Sequence, residues 1–323
     1  MDQVSRLSDE LNQKLEYLWK SAGAWPEYQQ VMRLALSAGR SDKALPGERF
    51  SHLESLPGLC CQAAGGAPDW ADDLTLAWLL YYAAAHLMDS VQDNDDPGLW
   101  WVEQGAKVAL SAASGLYFSA TTALNNLAHH KIVSPMFAEI VRDFSETLLV
   151  MGSGQYADLI RPAITLEQYW EQAGSKSGAF FSLACRTGAR LATAESRRLE
   201  AYASYGRHLG LLVQITDDLE DVSPPKDTGV HGQRRPFARS LPVIYALEVF
   251  PSQQAKQLQG CLQDAPLNAE AAQQALDLVD QSGAAEYVTV VIEQHKSQAL
   301  QALAHANPYP PAGEALAALV REI

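Results

Sequence analysis

Positive charge is scarce in this sequence. Lys and Arg number 24 against 38 Asp and Glu, a formal net charge of −14 over 323 residues. A nucleic-acid binder needs a basic face, so this balance argues against one. The excess acid suits recruitment of divalent cations, and it suits plain solubility equally well. Cysteine is scarce too. Cys60, Cys61, Cys185 and Cys261 form no C-x-x-C pair and no zinc spacing, and reduced, buried thiols are the expectation. Long apolar runs are missing. The longest, "LTLAWLLYYAAAHLM" at 74–88, is too short for a membrane span and ends in acid. The N-terminus lacks a basic stretch followed by an apolar one, so no secretory signal is expected. A soluble, cytoplasmic protein follows from these features as an expectation. Alternating β-branched runs are nearly absent, and the exception, "YVTVVIEQ" at 287–294, is short.

Helical patterning is abundant. Leu74, Trp78, Tyr81, Ala85 and Met88 recur at spacings of four and three, which marks one helix face. Tyr205, Leu209 and Leu212 do the same ahead of "TDDLED". The regions 134–160 and 165–195 also read as helices. Breaks are expected at stretches such as "DNDDPG", "MGSG" and "SPPKDTGVHGQRRP", none biased enough to be a linker. The expectation is one all-α domain over residues 1–323.

Two acid clusters follow apolar helices. The first holds Asp89, Asp93, Asp95 and Asp96, and the second holds Asp217, Asp218, Glu220 and Asp221. Asp89 and Asp93 are four apart, as are Asp217 and Asp221, so each pair shares a helix face. Both clusters close helices that Pro97 and Pro224-Pro225 terminate. Acids at a helix C-terminus oppose the helix dipole, and like charges at i, i+4 cost a few tenths of a kcal/mol more, as an order of magnitude. One such cluster reads as a solvated helix end. Two of them point to a cation. Oxygen ligands without His or Cys favour Mg²⁺, held together with waters and substrate phosphates.

These residues resemble the trans-isoprenyl diphosphate synthase (polyprenyl synthetase) family, over most of the chain. "QITDDLED" is similar to the family's second Asp-Asp-x-x-Asp motif, with Gln214, Asp217, Asp218 and Asp221 in place. "DSVQD" is similar to the first, with Ser90 where the second Asp would stand. "GQYADL" (154–159) resembles Gln-x-x-Asp-Leu and supplies Gln155 and Asp158. "YWEQAGSKSGAFFSLACRTGA" resembles a Tyr…Lys-Thr helix, giving Lys176 and Ser177. "RSLPVIYALE" resembles the segment after the second motif.

The resemblance implies an all-α bundle of the class I isoprenoid synthase type with a central cavity, and a homodimer. It implies an allylic prenyl diphosphate as substrate, three Mg²⁺ held with the diphosphate by Asp89, Asp93, Asp217, Asp218 and Asp221, and Lys176 as a compact cation on the leaving group. Catalysis would rest on Asp89, Asp93, Asp217, Asp218 and Lys176. Substrate binding would involve Arg49, Gln155, Asp158, Lys176, Ser177 and Gln214. In the family, bulky residues four or five before the first Asp shorten the product. Ala84 and Ala85 are small and Tyr81 lies a turn deeper, which implies a cavity closed further down. Small residues serve close helix packing equally well.

The second diphosphate site departs from the family pattern. "PGERF" has Gly47 and Arg49 but Glu48 in place of Lys. Tyr82 stands seven before Asp89, where the family has His or Gln. No Arg pair follows the first motif, and Lys226, Arg234 and Arg235 do not align clearly as substitutes. An anion stripped of most of its cations is expensive to bury. Transfer to isopentenyl diphosphate, to a small molecule or to a peptide therefore stays open. So do a class I terpene cyclase and a non-catalytic subunit of a heteromeric synthase. A purely structural helical protein is a further reading.

Overall fold

The computed structural model describes residues 2–41, 53–93, 100–131, 133–161, 165–222, 239–265 and 268–323. Among these residues the protein is all-α, with no strand. The helices are α1 (Asp2–Ser21), α2 (Pro26–Ser41), α3 (Leu56–Ala63), α4 (Asp72–Asp93), α5 (Trp100–Gln104), α6 (Ala106–Asn126), α7 (Phe137–Ile160) and α8 (Leu166–Ala173). A π-helical turn, Gly174–Gly178, joins α8 to α9 (Ala179–Arg190). Then come α10 (Ser196–Val222), α11 (Leu241–Val249), α12 (Ser252–Asp264), α13 (Ala269–Gln281), α14 (Ala284–Ala306) and α15 (Ala312–Glu322). No described helix is long and apolar enough to cross a membrane.

The main core gathers the predicted apolar faces. Leu74, Trp78 and Tyr81 of α4 are buried, as are Tyr205, Leu209 and Leu212 of α10. Helix α4 packs along α6, while α10 packs between α9 and α14. A smaller cluster joins Tyr169 and Ala173 of α8, Leu211 and Ile215 of α10, Leu241 and Ile244 of α11, and Val288 and Val291 of α14. The β-branched stretch at 287–294 lies inside α14, where Val288 and Val291 bury one face at helical spacing.

One expected break is not there. "MGSG" lies within α7, which runs unbroken to Ile160. Gly154 serves packing instead: a Cβ at that position would meet Ser175 Oγ at 2.4 Å. Helix α8 starts where its sequence says it should. Thr165 accepts from the Gln168 backbone N–H, and the Gln168 side chain accepts from the Thr165 N–H, a reciprocal capping box.

Helices α10 and α14 meet at a histidine pair. His208 Nδ1 and His295 Nδ1 lie 3.0 Å apart, beside the Trp170 ring of α8. Burial, then His208 and Arg207, push His295 down to about 4. Burial and Arg207 lower His208 as well. The unfolded chain therefore binds more protons than the folded one between about 4 and 6.5, and stability must fall as pH falls through that window. Stability from this pair is complete above about pH 6.5 and is lost toward pH 4. Thermal unfolding followed by circular dichroism across pH 4–7 should show this loss, and His295→Gln should flatten the slope. An unchanged slope in the variant would exclude the pair as its origin.

Candidate active site

The two acid clusters are connected through two consecutive residues of the π-helical turn. Lys176 Nζ donates to Asp89 Oδ1 of α4 at 3.3 Å and to Asp158 Oδ2 of α7 at 3.1 Å. Ser177 Oγ donates to Gln214 Oε1 of α10 at 2.8 Å. One residue thus faces the first acid cluster and the next faces the second.

Close packing makes this possible. In α10, Gly206, Gly210, Gln214 and Asp218 fall at every fourth residue and so form one stripe. A Cβ on Gly210 would come within 2.4 Å of the Ser177 carbonyl oxygen, and one on Gly154 within 2.4 Å of Ser175 Oγ. Glycine at these two positions lets α10 and α7 clamp the turn from two sides. The π-type turn itself is a form often found at functional sites.

Lys176 is only 25% exposed. Burial pulls its pKa down, but the charges and hydrogen bonds of Asp89 and Asp158 outweigh that, and the net shift is upward. The ammonium therefore stays charged. Asp158 is also held by Arg239, whose guanidinium pairs with Asp158 Oδ1 at 2.5 Å and donates to the backbone carbonyls of Asp158 and Arg161. Arg239 lies in the quoted "RSLP" stretch, but its role could not be read from sequence, because its partners lie about 80 residues away. Gln155 Nε2 donates to Gln92 Oε1 at 2.9 Å, tying α7 to α4 beside the first motif. The Gln155 Oε1 is buried without a protein partner.

Asp217 is half-buried on the last turns of α10. Asp218 was expected as a metal ligand. Asp218 is 5% exposed, and its carboxylate accepts from the Tyr169 hydroxyl at 2.6 Å, the Leu241 backbone N–H at 2.8 Å and Gln214 Nε2 at 3.0 Å. Tyr169 opens the quoted "YWEQAGSKSG" stretch, yet sequence gave no hint of this partner. Arg49 lies outside the described residues, as do Glu48, Asp95, Asp96, Lys226, Arg234, Arg235 and the side chains of Asp93 and Asp221.

Ser90 is 5% exposed and Asp89 half-buried, so position 90 faces inward while the acid faces the lysine. Deeper on α4, Ala84 is fully buried and Ala85 partly so. Tyr81 shares a 3.0 Å hydrogen bond with Thr121 of α6 and packs against Tyr117 and Phe144. On another side of α4, Trp78, Tyr82 and His86 step along at four-residue intervals. Tyr82 stacks with Trp78, with His86 and with Phe180 of α9. Ser90→Asp should therefore cost stability, about 2 kcal/mol or more for a carboxylate placed at an inward position. A lower urea midpoint without gain of activity is the expected result; tighter Mg²⁺ binding at unchanged stability would contradict it.

The chain is similar to known proteins. The polyprenyl synthetase family model matches residues 59–279. The (2E,6E)-farnesyl diphosphate synthase of Mycobacterium tuberculosis is 26% identical over 277 residues, covering 79% of this chain and 74% of that enzyme. The geranylgeranyl diphosphate synthase of the same organism is 28% identical over 262 residues, covering 77% and 73%. The geranylgeranyl pyrophosphate synthetase of the archaeon Geoglobus acetivorans has the same fold, with a TM-score of 0.77 at 18% identity over 99% of this chain and 98% of that one.

Proposed function

The chain belongs to the polyprenyl synthetase family and is a prenyltransferase, and from that premise we propose that it ionises an allylic prenyl diphosphate and passes the prenyl cation to an acceptor. The observation that carries this reading is the Lys176 junction, where a partly buried ammonium joins Asp89 and Asp158 beside a serine linked through Gln214 to the second acid cluster. The donor set is carboxylate without His or Cys, which suits Mg²⁺. Among the described residues no three such ligands converge by themselves, so the fit relies on phosphate oxygens of the substrate. Asp89 and Asp93 would hold the ions on one side, Asp217 and Asp221 on the other. When bound, Mg²⁺ supplies Lewis-acid stabilisation of the departing diphosphate. Lys176, released from Asp89, would place its charge on that same group. The prenyl tail would run along α4 past Ala85 and Ala84 and stop at Tyr81, braced by Thr121 and Phe144. A dry, apolar wall protects a cation from water.

A second reading of the acceptor is favoured by one observation. Tyr82, at the position where the family carries a His or Gln for the second diphosphate, is part of an aromatic stack with Trp78, His86 and Phe180. Aromatic faces stabilise cations and offer little to a diphosphate. A neutral acceptor, or an internal alkene of the substrate, suits such a wall better than isopentenyl diphosphate. Incubation with Mg²⁺ and geranyl, farnesyl or geranylgeranyl diphosphate, with and without isopentenyl diphosphate, decides between these outcomes by mass spectrometry. Mg²⁺-dependent consumption of an allylic diphosphate is expected, and Asp217→Ala should abolish it. Absence of both turnover and Mg²⁺-dependent binding would overturn the reading. A longer diphosphate formed only with isopentenyl diphosphate would remove the second one.

A second copy of the chain is the proposed cover for the outer face of α7. Leu149, Tyr156 and Ile160 fall on one stripe and are 73%, 64% and 57% exposed, and Phe118 of α6 is 72% exposed. Large apolar side chains in a row mark an association surface. Sedimentation should show a dimer that Leu149→Glu dissociates; an unchanged sedimentation coefficient would place the interface elsewhere.

A further inference from the structure

The adjacent acids Asp217 and Asp218 sit in different surroundings. Asp218 is buried, and its two oxygens take three donors from three elements. Oδ2 accepts from the Tyr169 hydroxyl of α8 at 2.6 Å and from the Leu241 N–H of α11 at 2.8 Å. Oδ1 accepts from Gln214 Nε2, one turn back on α10, at 3.0 Å. A buried carboxylate is tolerable only when hydrogen-bonded in this way. Leu241 is the first residue of α11, so the positive end of that helix also faces the charge. Burial, and then the charge of Asp218, hold the Tyr169 phenol well above its ordinary value, so it remains a donor.

The direction of donation then propagates. Because Asp218 accepts only, the amide nitrogen of Gln214 must face it, and the amide oxygen must face away. That oxygen accepts from Ser177 Oγ at 2.8 Å. The Ser177 hydroxyl hydrogen is thereby turned toward α10, and its lone pairs are turned away from Gln214. Reversing the amide would set oxygen against carboxylate and break the sequence.

We propose that Asp218 holds no metal ion directly, and that Tyr169 is a positioning residue which, through Asp218 and Gln214, fixes the Ser177 hydroxyl beside Lys176 and anchors the start of α11. The prenyl-transfer reading enters only in what the oriented hydroxyl serves. The relay itself rests on the hydrogen bonds. The Tyr169 hydroxyl donates to Asp218, and its effect on turnover passes through that carboxylate.

The test combines kinetics with amide exchange on the full-length protein. Tyr169→Phe keeps the ring and removes one hydrogen bond to a charged group, and kcat should fall about tenfold while KM for the allylic diphosphate stays within about twofold. The double variant Tyr169→Phe/Asp218→Asn should fall no further than Asp218→Asn alone, because both act through one relay. Half-saturation by Mg²⁺ should be unchanged in Asp218→Asn. Exchange of the Leu241 amide should quicken several-fold in Tyr169→Phe while α9 peptides remain protected. Wild-type kcat in Tyr169→Phe, additive losses, or an Mg²⁺ requirement raised about tenfold in Asp218→Asn would each overturn the proposal. If the unaltered protein turns over no allylic diphosphate, the prenyl reading fails on its own. The Leu241 exchange then decides the relay, and unchanged exchange overturns it.

Discussion

The ion pair of Lys176 with Asp89 and Asp158 is the contact on which the site depends. It spans α4, α7 and the turn between α8 and α9, and it places one cation where two acid-bearing helices approach. Without it, Asp89 would stand at a helix C-terminus against the dipole, and Asp158 would rely on Arg239 alone. Partial burial makes the contact consequential. A lysine stripped of much of its hydration loses basicity unless carboxylates compensate, and here they more than compensate. In the proposed reaction the ammonium would exchange one of these carboxylates for a phosphate.

Lys176 and Ser177 are consecutive in the π-helical turn, yet one bonds to α4 and α7 and the other to α10. Two consecutive residues of an ordinary helix project about 100° apart. The widened turn is pressed between Gly154 and Gly210, so its direction is set by packing on both sides. The stripe Gly206, Gly210, Gln214, Asp218 shows how one helix does two jobs. Its first half lets backbone approach backbone. Its second half, two turns on, supplies the polar groups that meet what has approached.

Much of this was legible in the sequence. The four-residue spacings of Asp89 with Asp93 and of Asp217 with Asp221, the apolar periodicity of α4 and the order of the short motifs pointed to a helical fold and to the family. Lys176, Asp158 and Gln214 could be named from their motifs. What escaped detection depends on tertiary register. "MGSG" carries two glycines and looks like a break, yet Gly154 is small because Ser175 packs on it. Nothing local marks Arg239 as the partner of Asp158, since the contact closes a long loop. Nor could the pattern distinguish Asp217 from Asp218. A repeated Asp-Asp reads as two ligands, whereas burial and three donors set the second apart.

That division explains why adjacent acids are tolerated at all. Two free carboxylates on neighbouring residues would both require counter-ions, and the chain as a whole is short of cations, at −14. Asp218 is set against a phenol, a helix N-terminus and an amide, dipoles that make its burial tolerable. Lys176 and Arg239 meet on Asp158. The aromatic stack of Trp78, Tyr82, His86 and Phe180 lies along α4. Ring faces steady a cation and bind an anion poorly, which is the physical ground for the proposed acceptor that brings no phosphate of its own.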